Sequence, residues 1–333
     1  MRSNMVRRGV SVCVGFALCG LISTAVASQS VPEARGHYQF VHHPGEDRTY
    51  LIGGSTRRTN GFHYFDDVWF WDGSRWTRAG ALPFPRSSHR VVYHPQRKSL
   101  ILFGGGFAQA VRAEGIIWER SAGAWRAIDG NFRAGTGEPE MCYDRRRHRV
   151  VIFGGWDAAN VYRGDTWEWQ PTGLVRVDTV GPSPRAGHAF VYDPVRQRCL
   201  AFGGQDSEGY RADTWEWDGS AWRELEVAGP SPRWFPGATT DLERERIVIF
   251  GGRGPSAPVI GRDAAGDLGD TWVWDGHRWE QVRGDGPPPR IGGQLAFNGR
   301  SVLLFGGREE RAEGFHDRND LWELRGQTWT RLH

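Results

Sequence analysis

Residues 198–223 read RCLAFGGQDSEGYRADTWEWDGSAWR, and the order of parts in this stretch decides the fold. An apolar run at 199–202 has the length of a buried strand and stops at Gly203-Gly204. A polar stretch then leads into Asp213-Thr214-Trp215-Glu216-Trp217, whose two indoles, two residues apart, fall on one face of a strand. Asp218-Gly219 is a tight-turn pair, and Trp222 marks one more short strand. With the strand that follows Arg185, the unit reads as four strands joined by turns.

Outward from this stretch the same order returns. A Gly-Gly pair ends an apolar run at Gly53-Gly54, Gly104-Gly105, Gly154-Gly155, Gly203-Gly204, Gly251-Gly252 and Gly306-Gly307, about 50 residues apart each time. An Arg opens the unit at Arg35, Arg86, Arg185, Arg233 and Arg290. An Asp starts the third strand at Asp67, Asp165, Asp213, Asp270 and Asp320, and a Trp follows nine residues later at Trp76, Trp222, Trp279 and Trp329. A repeat of this length cannot bury its own faces, so neighbouring repeats must stack. The 17 Trp and 46 Gly agree, since a helical chain would lose roughly 1 kcal/mol for each interior Gly relative to Ala. The predicted fold is all-β: a six-bladed propeller with four antiparallel strands per blade. The blades fall at about 35–80, 86–130, 136–179, 185–228, 233–283 and 290–333.

The Gly-Gly pairs, the Pro-x-Pro-Arg openings and the Asp-Thr-Trp-Glu-Trp strands resemble the kelch-repeat family from about Arg35 to the C-terminus. The resemblance implies a kelch-type propeller. The first unit begins on its inner strand and the last ends on its outer strand at Trp329, so ring closure is expected without strand exchange between the termini.

Ahead of the repeats, residues 1–8 carry three arginines, 9–22 are apolar, and Ala25-Val26-Ala27 is a small-residue cleavage site. This pattern predicts a signal peptide at 1–27, a short segment at 28–34, and an exported protein, periplasmic or extracellular. Removing the leader takes away Cys13 and Cys19 and leaves Cys142 and Cys199. These two suit either a disulfide or two buried apolar positions. The net charge of +3 and the lack of a basic run argue against nucleic acid, and no stretch beyond the leader is apolar enough to insert in a membrane.

Residues that break the template are the candidates for function. Fifteen of the 17 tryptophans sit on template strands; Trp156 and Trp234, the latter beside Phe235, do not. In an up-and-down blade both would lie on the loop-rich face, where an indole stacks a sugar or a partner's side chain, or anchors a loop. Two loops there are rich in contact residues: Arg57, Arg58, Phe62, His63 and Tyr64 in unit one, and Arg253 and Arg262 in the longest insertion, at 253–269. Unit three replaces the opening Arg by Thr136 and carries Glu138 and Glu140, two apart and so expected to share an orientation. Such a pair does acid–base chemistry or balances nearby arginines.

The opening arginines and the third-strand aspartates read as structural. Unit two lacks the Asp, having Ile116, and unit three lacks the Arg. The expectation is that each Asp pairs with the Arg of the next blade, with Asp320 meeting Arg35 at closure. No metal-ligand spacing, nucleophile elbow or phosphate loop occurs, so no metal or cofactor is expected. The expected function is a non-enzymatic module binding a glycan or protein partner on its loop-rich face. The alternative is a sugar-active enzyme such as the exported bacterial kelch propellers that include sialic acid mutarotases. Glu138 or Glu140 would then serve as acid–base, and Arg86 or Arg185 as a carboxylate clamp.

Overall fold

A computed structural model describes residues 31–106, 115–132, 137–157, 159–177, 179–255, 265–311 and 314–333. The leader, Thr136 and Arg262 lie outside the described residues. Six four-stranded antiparallel sheets form, each from consecutive segments. Their innermost strands are Gln39–His43, Ser87–His94, Glu140–Asp144, Ala189–Asp193, Gly237–Asp241 and Gln294–Phe297. These six strands meet in sequence order around a closed ring, the last beside the first. Both terminal blades are built from their own strands, so closure involves no exchange. The seam is instead made by Tyr38, whose hydroxyl donates to the Phe305 carbonyl while its ring packs edge-on against that of Phe305.

Among the described residues, each hydrophobic cluster lies at a seam between two blades. Phe153 of blade three, for instance, packs with Phe190, Trp217 and Trp222 of blade four. Full burial of one such ring contributes about 1.5–3 kcal/mol, so the ring of blades is held by its seams. Cys142 and Cys199 are joined in a disulfide across the same seam.

The glycine pairs have a specific cause. At every pair both residues have positive φ, and at Gly54, Gly155, Gly204 and Gly252 the second N–H donates to the carbonyl of the next blade's opening arginine, as Gly155 does to Arg185 at 2.9 Å. A Cβ on Gly154 would stand 2.4 Å from that same oxygen. Only glycine permits both the turn and the approach.

The arginine–aspartate pairs differ from expectation. Arg233 donates to both carboxylate oxygens of Asp270, at 2.8 and 2.9 Å, within its own blade, and also to the Gly251 carbonyl. Arg35–Asp67, Arg185–Asp213 and Arg290–Asp320 repeat the arrangement, so Asp320 does not meet Arg35. The hairpin of strands two and three ends with its Gly-Gly carbonyl and its Asp side by side, and the blade's own arginine fills that notch. The next blade's arginine offers the seam only its backbone. Ile116 and Thr136 are therefore separate departures. In blade three Asp165 takes Arg163 and Arg176 instead, and Arg86 in blade two lies against the Gly104 carbonyl and the Trp118 ring.

Candidate functional site

Two residues past the opening position, every blade passes through the left-handed region, with φ between 48° and 65°. Two blades use Gly187 and Gly292; the others place His37, Ser88, Glu138 and Phe235 there. A side chain in this conformation costs of order 1 kcal/mol, so four of them in one ring need a reason. Backbone bonds run between neighbours in this ring, from Ser88 N–H to the His37 carbonyl and from Gly292 N–H to that of Phe235. The position lies beside the Gly-Gly ends, on the loop-rich face, at the mouth of the central channel.

The four side chains converge. Ser88 Oγ lies 3.0 Å from Glu138 Oε1, and the His37 ring nitrogen Nδ1 is 3.7 Å from the same oxygen. The His37 ring meets the Phe235 ring edge-on at 5.4 Å, bridging blades one and five. Glu138 is 6% exposed, and its Oε2 has no partner among the described residues. Burial pushes its carboxyl up to about 8, against the pull of Arg90. Burial, with Arg308 and Arg90 nearby, lowers His37 to about 4. At neutral pH the contact is therefore between a protonated carboxyl and a neutral imidazole, not an ion pair.

Glu140 has a different fate. Glu138 precedes the strand and Glu140 begins it, yet both turn toward blade two. There Arg90 Nε donates to Glu140 Oε2 at 2.6 Å, and the second guanidinium nitrogen takes the other oxygen. The pair is buried, so Glu140 balances charge and Glu138 is the carboxyl left with hydrogen-bonding capacity.

The two off-template indoles lie on the same ring of turns. Trp156 bridges backbone to Gly137, the residue before Glu138, and its indole fills the space a Cβ on Gly137 would occupy. Its ring lies 5.9 Å from that of Tyr162. Trp234 covers Gly187 and packs on Phe235 at 4.5 Å, with its Nε1 buried and unpartnered among the described residues. Both indoles are half-buried, and both tether their loops.

The remaining candidates lie further out. Ser55–Arg58 and Gly61–Tyr64 pair as a two-stranded ribbon that exposes Arg57, Phe62 and His63, leaves Tyr64 half-buried and ties Arg58 to Glu33. Arg253 starts a second ribbon, Arg253–Pro255 with Ala265–Asp267, and is held by Asp267 and Glu310. Arg185 is paired with Asp213, and Arg86 lies against the Gly104 carbonyl of its own blade. No set of three acidic, His or Cys side chains suited to a metal occurs among the described residues. Sequence reading missed His37 and Ser88. The signal was present: they stand in phase with Gly187 and Gly292, and with Glu138.

The KLHDC2/KLHL20/DRC7 Kelch-repeats domain family matches residues 146–333. No curated protein matches the chain. The solved structure of YjhT is similar, with a TM-score of 0.68 at 14% identity, covering 91% of this chain and 99% of that one. At this identity the likeness is one of fold.

Proposed function

Since the chain belongs to the kelch-repeat family, we propose that it is a binding module that holds a glycan at the channel mouth of its loop-rich face. The observation that carries this reading is Glu138. Its buried carboxyl has one oxygen without a partner, beside Ser88 and His37, with Trp156 against the preceding Gly137 and Trp234 over Gly187 of the next blade. A sugar offers what such a site lacks, hydroxyls for the carboxyl and a C–H face for the indoles. Export, as the 1–27 pattern predicts, would give it access to extracellular or periplasmic glycans. A protein partner presenting hydroxyl and aromatic groups would use the same surface.

One observation favours a sugar-active enzyme as the second reading: Glu138 holds a proton near neutral pH, beside an imidazole that does not. This is the state required of a general acid, with His37 as the accepting partner. Sugar-ring opening would be helped by both groups together.

The test is a glycan array probed with the chain from Ser28, alongside Trp156→Ala and Trp234→Ala. Binding to a defined sugar, weakened at least tenfold by either substitution, is expected. A blank array refutes the glycan reading and directs the search to protein partners. If a bound sugar interconverts its anomers faster with protein than without, and Glu138→Gln abolishes the effect, the enzyme reading replaces the first.

A further inference from the structure

The central channel runs beneath the mouth and shares Phe235 with it. It encloses about 630 Å3. Its outer rim is made by the turns between first and second strands, on the face opposite the loops, and includes Pro44, Arg145 and Leu242. Toward the loops its lining ends at Phe235 and His188; His37, Ser88 and Glu138 take no part in it. Between the two ends the wall is mostly apolar, with Val41, Val92 and Val191.

Two polar features stand out in this wall. His188 is 2% exposed, and neither ring nitrogen has a hydrogen-bond partner among the described residues. Burial holds it neutral, reinforced by Arg185 and Arg90, so it offers one donor and one acceptor. At the rim, Arg145 is exposed beside Tyr143 and Tyr192, and no carboxylate pairs with it among the described residues. The next-but-one arginine, Arg147, is by contrast held by Asp144 and Glu168.

We propose that the channel is a binding pocket for a small amphipathic carboxylate, entering from the face opposite the loops, with its carboxylate on Arg145, its apolar body between the inner strands and a polar group at His188. The volume lies within the range of ligand pockets, and an apolar wall with a few convergent polar groups is their usual make-up. Arg90 and Glu140 also line the space but neutralise one another, so the free positive charge is at the rim.

The probe is 6-hydroxy-2-naphthoate, which carries a carboxylate and a hydroxyl at opposite ends of an apolar body, titrated by calorimetry against the intact mature chain. One saturable site is expected. Arg145→Gln should weaken it about tenfold, the effect of one charge-assisted contact, and replacing the probe by 6-hydroxy-2-naphthamide should do the same. Thr239→Trp, which fills the channel from a half-buried wall position, should abolish binding while near-ultraviolet circular dichroism stays native. Trp156→Ala should leave binding unchanged. The proposal fails if no saturable site is found, if both channel variants bind like the parent, or if Trp156→Ala removes binding.

Discussion

Blades four to six and blades one to three solve one packing problem with different parts. At the seams three–four, four–five and five–six, the fourth-strand tryptophan donates to a threonine of the preceding blade: Trp222 to Thr166, Trp279 to Thr214 and Trp329 to Thr271. At the seams six–one and one–two the threonine is replaced by Leu321 and Val68, and the indole nitrogens of Trp76 and Trp125 are buried without partners among the described residues. Blade two also lacks the aspartate and blade three the arginine. Yet it is blades one to three that supply His37, Ser88 and Glu138 at the mouth and Arg90 and Glu140 beneath it. Where blades four to six have Gly187 and Gly292, the other half has chemistry. The difference teaches that the repeat is maintained most fully in one half while the polar groups collect in the other.

The largest expected effect tests whether the complete network matters. Asp270→Ala leaves the Arg233 guanidinium, 0% exposed, without its carboxylate and should cost about 3–5 kcal/mol in urea unfolding. Asp165→Ala in blade three, whose arginine partners are 39% and 53% exposed, should cost no more than about 1 kcal/mol. Equal losses would erase the distinction between blades that keep the buried arginine–aspartate pair and blade three, which does not.

Much of this was legible in the sequence because it is local. The Gly-Gly pairs, the Trp-x-Trp strands and the Asp-Gly turns each encode a backbone requirement that no neighbour can override. Partner choice was not. Asp67 and Arg86 are closer along the chain than Asp67 and Arg35, but the hairpin between strands two and three folds Asp67 back onto its own blade. Glu138 was visible as a departure from the template, whereas its environment was not. That depends on His37 and Ser88, which reach it only through ring closure and a left-handed turn that the residues Ser and His do not advertise. Burial of His188 likewise follows from packing at a seam.

The second prediction concerns the mouth and the sign of its pH dependence. Glu138 has a folded value raised to about 8 from 4.5, so its contribution to stability is full below pH 4.5 and is lost as pH rises through 8. His37, lowered to about 4, contributes above pH 6.5 and loses that contribution as pH falls through 4. The two trends oppose each other between 4.5 and 6.5, which leaves pH 6.5–8 as the clear window for Glu138. Glu138→Gln should flatten the decline in stability there, a change on the order of a few kcal/mol at pH 8. His37→Asn should leave that window unaltered and flatten the acid limb instead. A decline between pH 6.5 and 8 that survives Glu138→Gln would place the titrating group outside the mouth.

The smallest effects come from the seams. Thr214→Val keeps the shape of the side chain but removes the acceptor of Trp279 Nε1, and should cost about 1–3 kcal/mol, the penalty of a buried donor left unpaired. The reverse change, Val68→Thr, gives Trp125 the acceptor that the other half of the ring already has. It exchanges a buried methyl for a hydroxyl, so its gain is limited to about 1 kcal/mol. Opposite signs in chemical denaturation mean that the orphaned indoles mark missing seam bonds. If Val68→Thr destabilises, the indole of Trp125 sits differently from that of Trp279, and the seam between blades one and two was built around an apolar contact from the start. The variant's effect on binding at the mouth then becomes informative. A seam tightened beside Ser88 should leave ligand affinity unchanged if the blades move as rigid units, and shift it if Ser88 and His37 are positioned by the looseness of that seam.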